Sequence, residues 1–178
     1  MNNASSDKKT AGLVYTALMI CLVLLGTVLF RIPVPMTQGY VHLGDTMIFL
    51  GVMMLGKRYG AAAAGLGSAL ADILGVFAFW APWTLVIKSL MAFVTGLIME
   101  RSTRSHEHSH SNGRLAKITA MAAGGILMCA GYLAAETVMY GSFALAIPGL
   151  PWNIGQVIAG MVLSMSIYSA IAASERHK

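Results

Sequence analysis

Long apolar stretches separated by short polar breaks dominate this chain, and their lengths predict helices rather than strands. We read spans at Ala11 to Phe30, Leu43 to Gly56, Tyr59 to Phe79, Pro82 to Met99, Leu115 to Tyr140 and Trp152 to Ala173. A helix needs roughly 20 apolar residues to cross a bilayer core of about 30 Å, so the second stretch is short and its start at His42, Gly44 and Asp45 is polar. Pro33 and Pro35 break the chain after the first span, Gly56 and Gly60 bracket a tight turn at Lys57 and Arg58, and Pro82 suits a first helical turn. Pro148 and Pro151 punctuate the entrance to the last span. The pattern predicts an all-α membrane protein, a six-transmembrane-helix bundle forming one domain over residues 1–178.

Composition agrees. Of 178 residues 57% are hydrophobic and 11% charged, with mean hydropathy +0.70, where soluble domains carry about 25% charged residues. No separate soluble domain fits between the spans. The first stretch lacks a small-x-small cleavage site, so it is read as a retained helix and not a signal peptide. Cys21 and Cys129 fall inside apolar stretches without metal or redox spacing and are expected to be buried, reduced thiols.

Charge then orients the bundle. Of the 12 Lys and Arg residues, all but Arg31 and Lys88 lie at one set of span ends: Lys8, Lys9, Lys57, Arg58, Arg101, Arg104, Arg114, Lys117, Arg176 and Lys178. The positive-inside rule makes that side cytoplasmic and puts both termini there, in the plasma membrane. The same distribution argues against nucleic acid as the partner of a chain with pI 9.4, because the basic residues mark span ends without interleaved exposed aromatics. The loop holding His106, Glu107, His108 and His110 could bind a transition metal weakly, and a solvated linker explains it better. No metal or cofactor is expected.

The candidate chemistry lies at the opposite ends. Asp45, Asp72, Lys88 and Glu136 sit in the outer halves of their spans, between less than a turn and about 10 Å from the end. His42 with Asp45, Thr84 with Lys88, Tyr132 with Glu136 and Tyr140, and Asn153 with Gln156 each share a helix face. Tyr40, Trp80, Trp83 and Trp152 stand at the same level, as interfacial anchors or as a platform for a flat ligand. Bare charges at that depth cost several kcal/mol unless they face protein, water or one another. A buried pair such as Lys88 with Asp72 or Glu136 would hold helices in register. So many polar groups exceed that need, so they predict an externally reached cup. With three carboxylates against Lys88, the cup suits a small neutral or weakly basic heterocycle with hydroxyl groups. Small residues at four-residue spacing, Ala61, Gly65, Ala69 and Ala63, Gly67, Ala71, allow close helix approach, inside the bundle or against a partner subunit.

The stretches LGDTMIFLGVMMLG, GAAAAGLGSALADILG, IKSLMAFVTGLIME, GYLAAETVMYG and PWNIGQ, in that order, resemble the S components of energy-coupling factor (ECF) transporters, most closely the hydroxymethylpyrimidine or pyridoxine branch. The resemblance implies a non-catalytic subunit that captures a vitamin from outside and works with a transmembrane coupling subunit (EcfT-type) and two ABC ATPase subunits. It implies toppling in the membrane to carry the cup to the inner face. On depth and shared helix faces, the candidate substrate contacts are Tyr40, His42, Asp45, Asp72, Trp80, Trp83, Thr84, Lys88, Tyr132, Glu136, Asn153 and Gln156. A degraded AxxxA-like surface at Gly12 and Thr16, with Ala61, Gly65 and Ala69, is the expected partner interface. The chain has no GxxxxGK[ST], so nucleotide hydrolysis belongs to partners. Two other classes stand beside this one. A proton-coupled secondary transporter would need polar groups continuing into the inner halves, which are Ala, Gly, Met and Leu; a membrane enzyme would need an HExxH, GxSxG or metal-ligand set, and none is present.

Overall fold

The computed structural model describes residues 3–34, 39–105 and 110–176. Helix α1 (Asn3–Val28) leads into a short antiparallel hairpin of β1 (Ile32–Pro33) and β2 (Tyr40–Val41), with Ile32 opposite Val41. Helices α2 (Gly44–Leu74), α3 (Ala81–Ser105), α4 (His110–Tyr140), the single turn α5 (Phe143–Ala146) and α6 (Leu150–Arg176) follow. One-turn 3-10 segments, Ala78–Trp80 and Ile147–Gly149, precede α3 and α6. Of the loop at His106, Glu107, His108 and His110, the first three lie outside the described residues and His110 opens α4.

The helical run α2 is two arms. Gly56 sits at φ 77° and ψ −178°, a left-handed conformation open to glycine and strained for other residues. A Cβ on Gly60 would fall 2.9 Å from the Cα of Val52, although in a straight helix those residues stand about 12 Å apart. The chain therefore reverses at Gly56 and lays residues 57–74 back along 44–55. Asp45 and Asp72, which a straight helix would hold about 40 Å apart, consequently reach the same end of the bundle. The two arms fall on the apolar stretches at 43–56 and 59–79, the second arm ending at Leu74, with the turn at Gly56 itself and with Lys57 and Arg58 already helical.

Among the described residues, four helices are long and apolar enough to cross a membrane, at Lys9–Val28, Ala78–Ser102, Gly113–Tyr140 and Phe143–Glu175. Their outward faces carry Leu13, Leu18, Leu22, Ile126, Ile158 and Val162, all exposed in the isolated chain, as suits contact with lipid. Inward, Val23, Phe49, Met91, Met121 and Met128 are fully buried. Successive helices α1 to α4 pack in order, and α6 closes the ring against both α4 and α2. Small residues let backbones touch: a Cβ on Gly67 would meet the carbonyl of Ile20 at 2.8 Å, and one on Gly65 the carbonyl of Leu85 at 2.9 Å. These contacts occupy the small-residue stripes within the chain. Gly12 likewise packs on the Tyr59 ring, Thr16 and Ala69 are buried, and Ala61 is half-buried.

At the end away from the hairpin, Glu100 of α3 receives the Lys57 ammonium at 2.7 Å and the Lys57 N–H at 3.4 Å. That carboxylate thereby caps the start of the second arm of α2 and ties the turn to α3.

Candidate functional site

At the hairpin end the helices part around a cavity of about 500 Å³, a volume that includes its opening to solvent. Its wall is contributed by the hairpin and the connection after it, the second arm of α2, α3, α4 and α6 with the short segments before α3 and α6, so no single element makes the site. Tyr40, His42, Asp72, Trp80, Thr84, Tyr132, Glu136, Asn153 and Gln156 line it, together with Val34, Gly39 and Gly149.

Beneath the cavity lies an ionic floor. Lys88 and Asp45 have no exposed side-chain surface and pair at 2.5 Å. The second Asp45 oxygen accepts the Gln156 side-chain N–H at 2.8 Å, and Lys88 also approaches the Met128 sulfur at 2.9 Å. Gln156 Oε1 in turn accepts the backbone N–H of His42 at 2.9 Å. This chain of bonds ties α3 to α2, α2 to α6 and α6 to the hairpin connection. Lys88 thus takes Asp45 as its partner, where the sequence offered Asp72 or Glu136. The pairing also changes the charge facing a ligand, since Asp45 and Lys88 cancel and leave Asp72 and Glu136 on the wall.

The mouth is closed on one side by a stack. The Arg31 guanidinium lies 4.2 Å from the Tyr40 ring centroid and 5.1 Å from that of Phe77, and donates to the Ala71 carbonyl at 3.1 Å. The Tyr40 hydroxyl donates to Asp72 Oδ1. Burial, reinforced by the Asp72 carboxylate, pushes the Tyr40 phenol well above its usual range, so it stays a donor. His42, in the connection before α2, is pushed down to about 3 by burial and by the Lys88 ammonium and stands neutral at pH 7.

Aromatic edges form the remaining wall. Trp80 meets Tyr132 edge-on at 6.1 Å, and the Tyr132 hydroxyl reaches Thr84 Oγ1 at 3.4 Å. Trp83 is 38% exposed and lies off the wall, as do Asp45 and Lys88 below it. Asp72 Oδ2 and Glu136 Oε2 are buried and have no hydrogen-bond partner. Such orphaned acceptors are uncommon in native interiors. Gly149 makes room for the second: a Cβ there would lie 2.6 Å from Glu136 Oε2. Gly149, Val34, Gly39 and the stacking of Phe77 with Arg31 are additions to the sequence reading. Of these only Gly149 carried a signal, a glycine set between Pro148 and Pro151 where a backbone must come close to a side chain.

Known proteins resemble the whole assembly. The family described as ECF-type riboflavin transporter, S component, matches residues 7–173. A Lactococcus lactis subsp. cremoris protein named Thiamine precursor transporter HmpT is 32% identical over 165 residues, 92% of this chain and 87% of that protein. A Pyrococcus woesei protein named only as an uncharacterized protein in a gap 3'region is 36% identical over 137 residues, 77% of this chain and 85% of its own. Among solved structures, one described as the S component of a bacterial ECF transporter superposes with TM-score 0.69 at 16% identity, covering 93% of this chain and 97% of the other, which establishes the shared fold. The family match over nearly the full length, a relative above 30% identity across the chain, and a common helical architecture lead to one conclusion: this chain belongs to the S components of ECF-type transporters.

Proposed function

We propose that the chain is the substrate-capturing subunit of an ATP-driven vitamin importer, taking a small heteroaromatic vitamin or precursor into the hairpin-end cavity from outside the cell. Hydroxymethylpyrimidine is the first candidate and pyridoxine the second. The observation that carries this reading is that two residues lining the cavity, Asp72 and Glu136, each hold a buried carboxylate oxygen without a partner, Oδ2 and Oε2. A buried acceptor left unsatisfied costs about 1–3 kcal/mol, more when charged, and amino and hydroxyl hydrogens of such a ligand would remove that cost. Asn153 supplies a further amide, and Trp80, Tyr132 and Tyr40 supply ring edges. The relative named for thiamine precursor transport supports the pyrimidine. The family's description supports riboflavin as the alternative ligand.

On this reading six spans cross the membrane, the arms of α2 counting as two, with both termini cytoplasmic by the distribution of Lys and Arg. The importer's coupling subunit and two ABC ATPases would drive release, because a site of equal affinity in both orientations gains nothing from the cycle. Equilibrium binding to the purified chain tests the proposal. Saturable submicromolar binding of hydroxymethylpyrimidine, pyridoxine or riboflavin is expected, and Glu136→Gln and Asp72→Asn should each weaken it about tenfold or more, the loss of one charge-assisted hydrogen bond. If none of the three ligands saturates the site, the ligand assignment is wrong; unaltered affinity in both variants would take the carboxylates out of it.

A further inference from the structure

The cavity wall also holds a donor whose polarity is fixed by the backbone. His42 Nδ1 accepts the N–H of Gly44 at 3.0 Å. A ring nitrogen that accepts a hydrogen bond carries no proton, so the neutral imidazole keeps its hydrogen on Nε2. The Thr27 hydroxyl lies 3.4 Å from the same Nδ1, but its hydrogen goes to the Val23 carbonyl at 2.8 Å. The Thr27 oxygen is the acceptor that the other tautomer would use at 3.4 Å, but a proton on Nδ1 would then face the Gly44 N–H at 3.0 Å, the shorter contact, and that repulsion keeps Nδ1 bare. Among the described residues no protein group bonds Nε2, and Nε2 is not one of the sealed polar atoms although the residue as a whole is buried. His42 is one of the residues that line the cavity. The backbone of His42 is meanwhile anchored to Gln156, and through it to Asp45 and Lys88, so the ring is not free to swing away.

We propose that His42 is a hydrogen-bond donor of fixed tautomer, which selects a ligand bearing an unprotonated ring nitrogen or hydroxyl oxygen on the edge opposite the hydrogens that satisfy Asp72 and Glu136. This deepens the proposed function and rests on it: the site prefers a heteroaromatic ring with an acceptor edge and a donor edge. The charged groups that bear on the ring are Lys88 from α3, Asp45 from α2 and Arg31 from the hairpin, and burial with Lys88 keeps the ring neutral.

Two substitutions separate the two ring nitrogens. His42→Asn places an oxygen where Nδ1 accepts from Gly44 and removes the outer donor; His42→Gln carries an N–H to the Nε2 position and loses the Gly44 contact. With the purified chain, affinity is measured for hydroxymethylpyrimidine and for analogues in which one ring nitrogen is replaced by C–H. The wild type should lose about tenfold or more on one of these analogues, the worth of one buried hydrogen bond. His42→Asn should lose a similar factor for the parent and no longer discriminate, while His42→Gln keeps the discrimination. His42→Asn that binds and discriminates like the wild type overturns the proposal. Nitrogen-15 spectra of histidine-labelled protein, with His42 assigned by its loss in the variants, read the tautomer without ligand. A pyridine-type Nδ1 and a protonated Nε2 at neutral pH are expected, and a protonated Nδ1 overturns the proposal even if the variants misfold. Failure of the wild type to bind hydroxymethylpyrimidine, pyridoxine or riboflavin defeats the proposed function, and the recognition step with it, while the spectrum still decides the tautomer.

Discussion

Lys88 and Asp45 show how a single residue changes meaning between sequence and structure. Both stand in apolar helices, so both read as groups waiting for a ligand; the structure spends them on each other at 2.5 Å with no side-chain exposure. The contact joins residues on different helices and has no periodicity that a sequence displays. Asp72 and Glu136 look the same in the sequence yet keep an oxygen apiece without a partner. Depth was legible; pairing was not. Removing one member of a buried ion pair typically costs about 3–5 kcal/mol, because the other charge is stranded, whereas removing both is far milder. Lys88→Met should therefore lower the melting temperature of the detergent-solubilised protein markedly, and the Lys88→Met, Asp45→Asn double variant should recover much of the loss. Equal melting temperatures for wild type and Lys88→Met would mean that the pair does not hold the cavity floor.

At the scale of elements, the apolar stretches fall on the long helices described, but helix ends do not coincide with the edges of those stretches. Helix α1 begins at Asn3 and not Ala11, α4 at His110 and not Leu115, and α6 runs on to Arg176. The polar flanks NASSDKK and SER are competent helix, and hydropathy reports the bilayer rather than the hydrogen-bond ladder. The turn between the arms of α2 was legible because Gly56 and Gly60 frame it, yet only the backbone shows that Gly56 alone makes the reversal. A Cβ at Gly56 would meet nothing closer than Glu100 Oε1 at 3.6 Å, so no packed neighbour excludes alanine and the cost of Gly56→Ala comes from its own positive-φ, extended-ψ backbone, which is essentially restricted to glycine, about 1–3 kcal/mol. Gly56→Ala should lower thermal stability by that modest amount while ligand affinity stays within about twofold, since the cavity lies at the other end of the bundle. A loss of binding comparable to that of Glu136→Gln would show that the turn and the cavity are coupled.

Across the whole molecule, the hairpin-end cavity and the Lys57 to Glu100 clamp at the far end divide the bundle into a polar cavity end and a capped end, with Val23, Phe49 and Met91 among the apolar core between them. That division was written in the sequence as the segregation of Lys and Arg from the buried carboxylates. The neutrality of His42 was not, because it depends on packing against α1 and α2 and on Lys88 across the floor. It has a consequence for the stability of the entire fold. In the unfolded chain His42 protonates around pH 6.5, while in the folded protein protonation waits until about pH 3. Between those limits the unfolded state binds the additional proton, so folding stability from this group is full above about pH 6.5 and declines as the solution is acidified, by at most about 1.4 kcal/mol per pH unit. Asp72 and Glu136 share the cavity and titrate in their own right, so the contribution is isolated by difference. Melting temperatures of wild type and His42→Gln, measured from pH 7.5 down to pH 5, should converge on acidification, with the wild type losing more. Parallel curves over that range would mean that folding does not hold His42 neutral and that the donor it offers the cavity is not fixed.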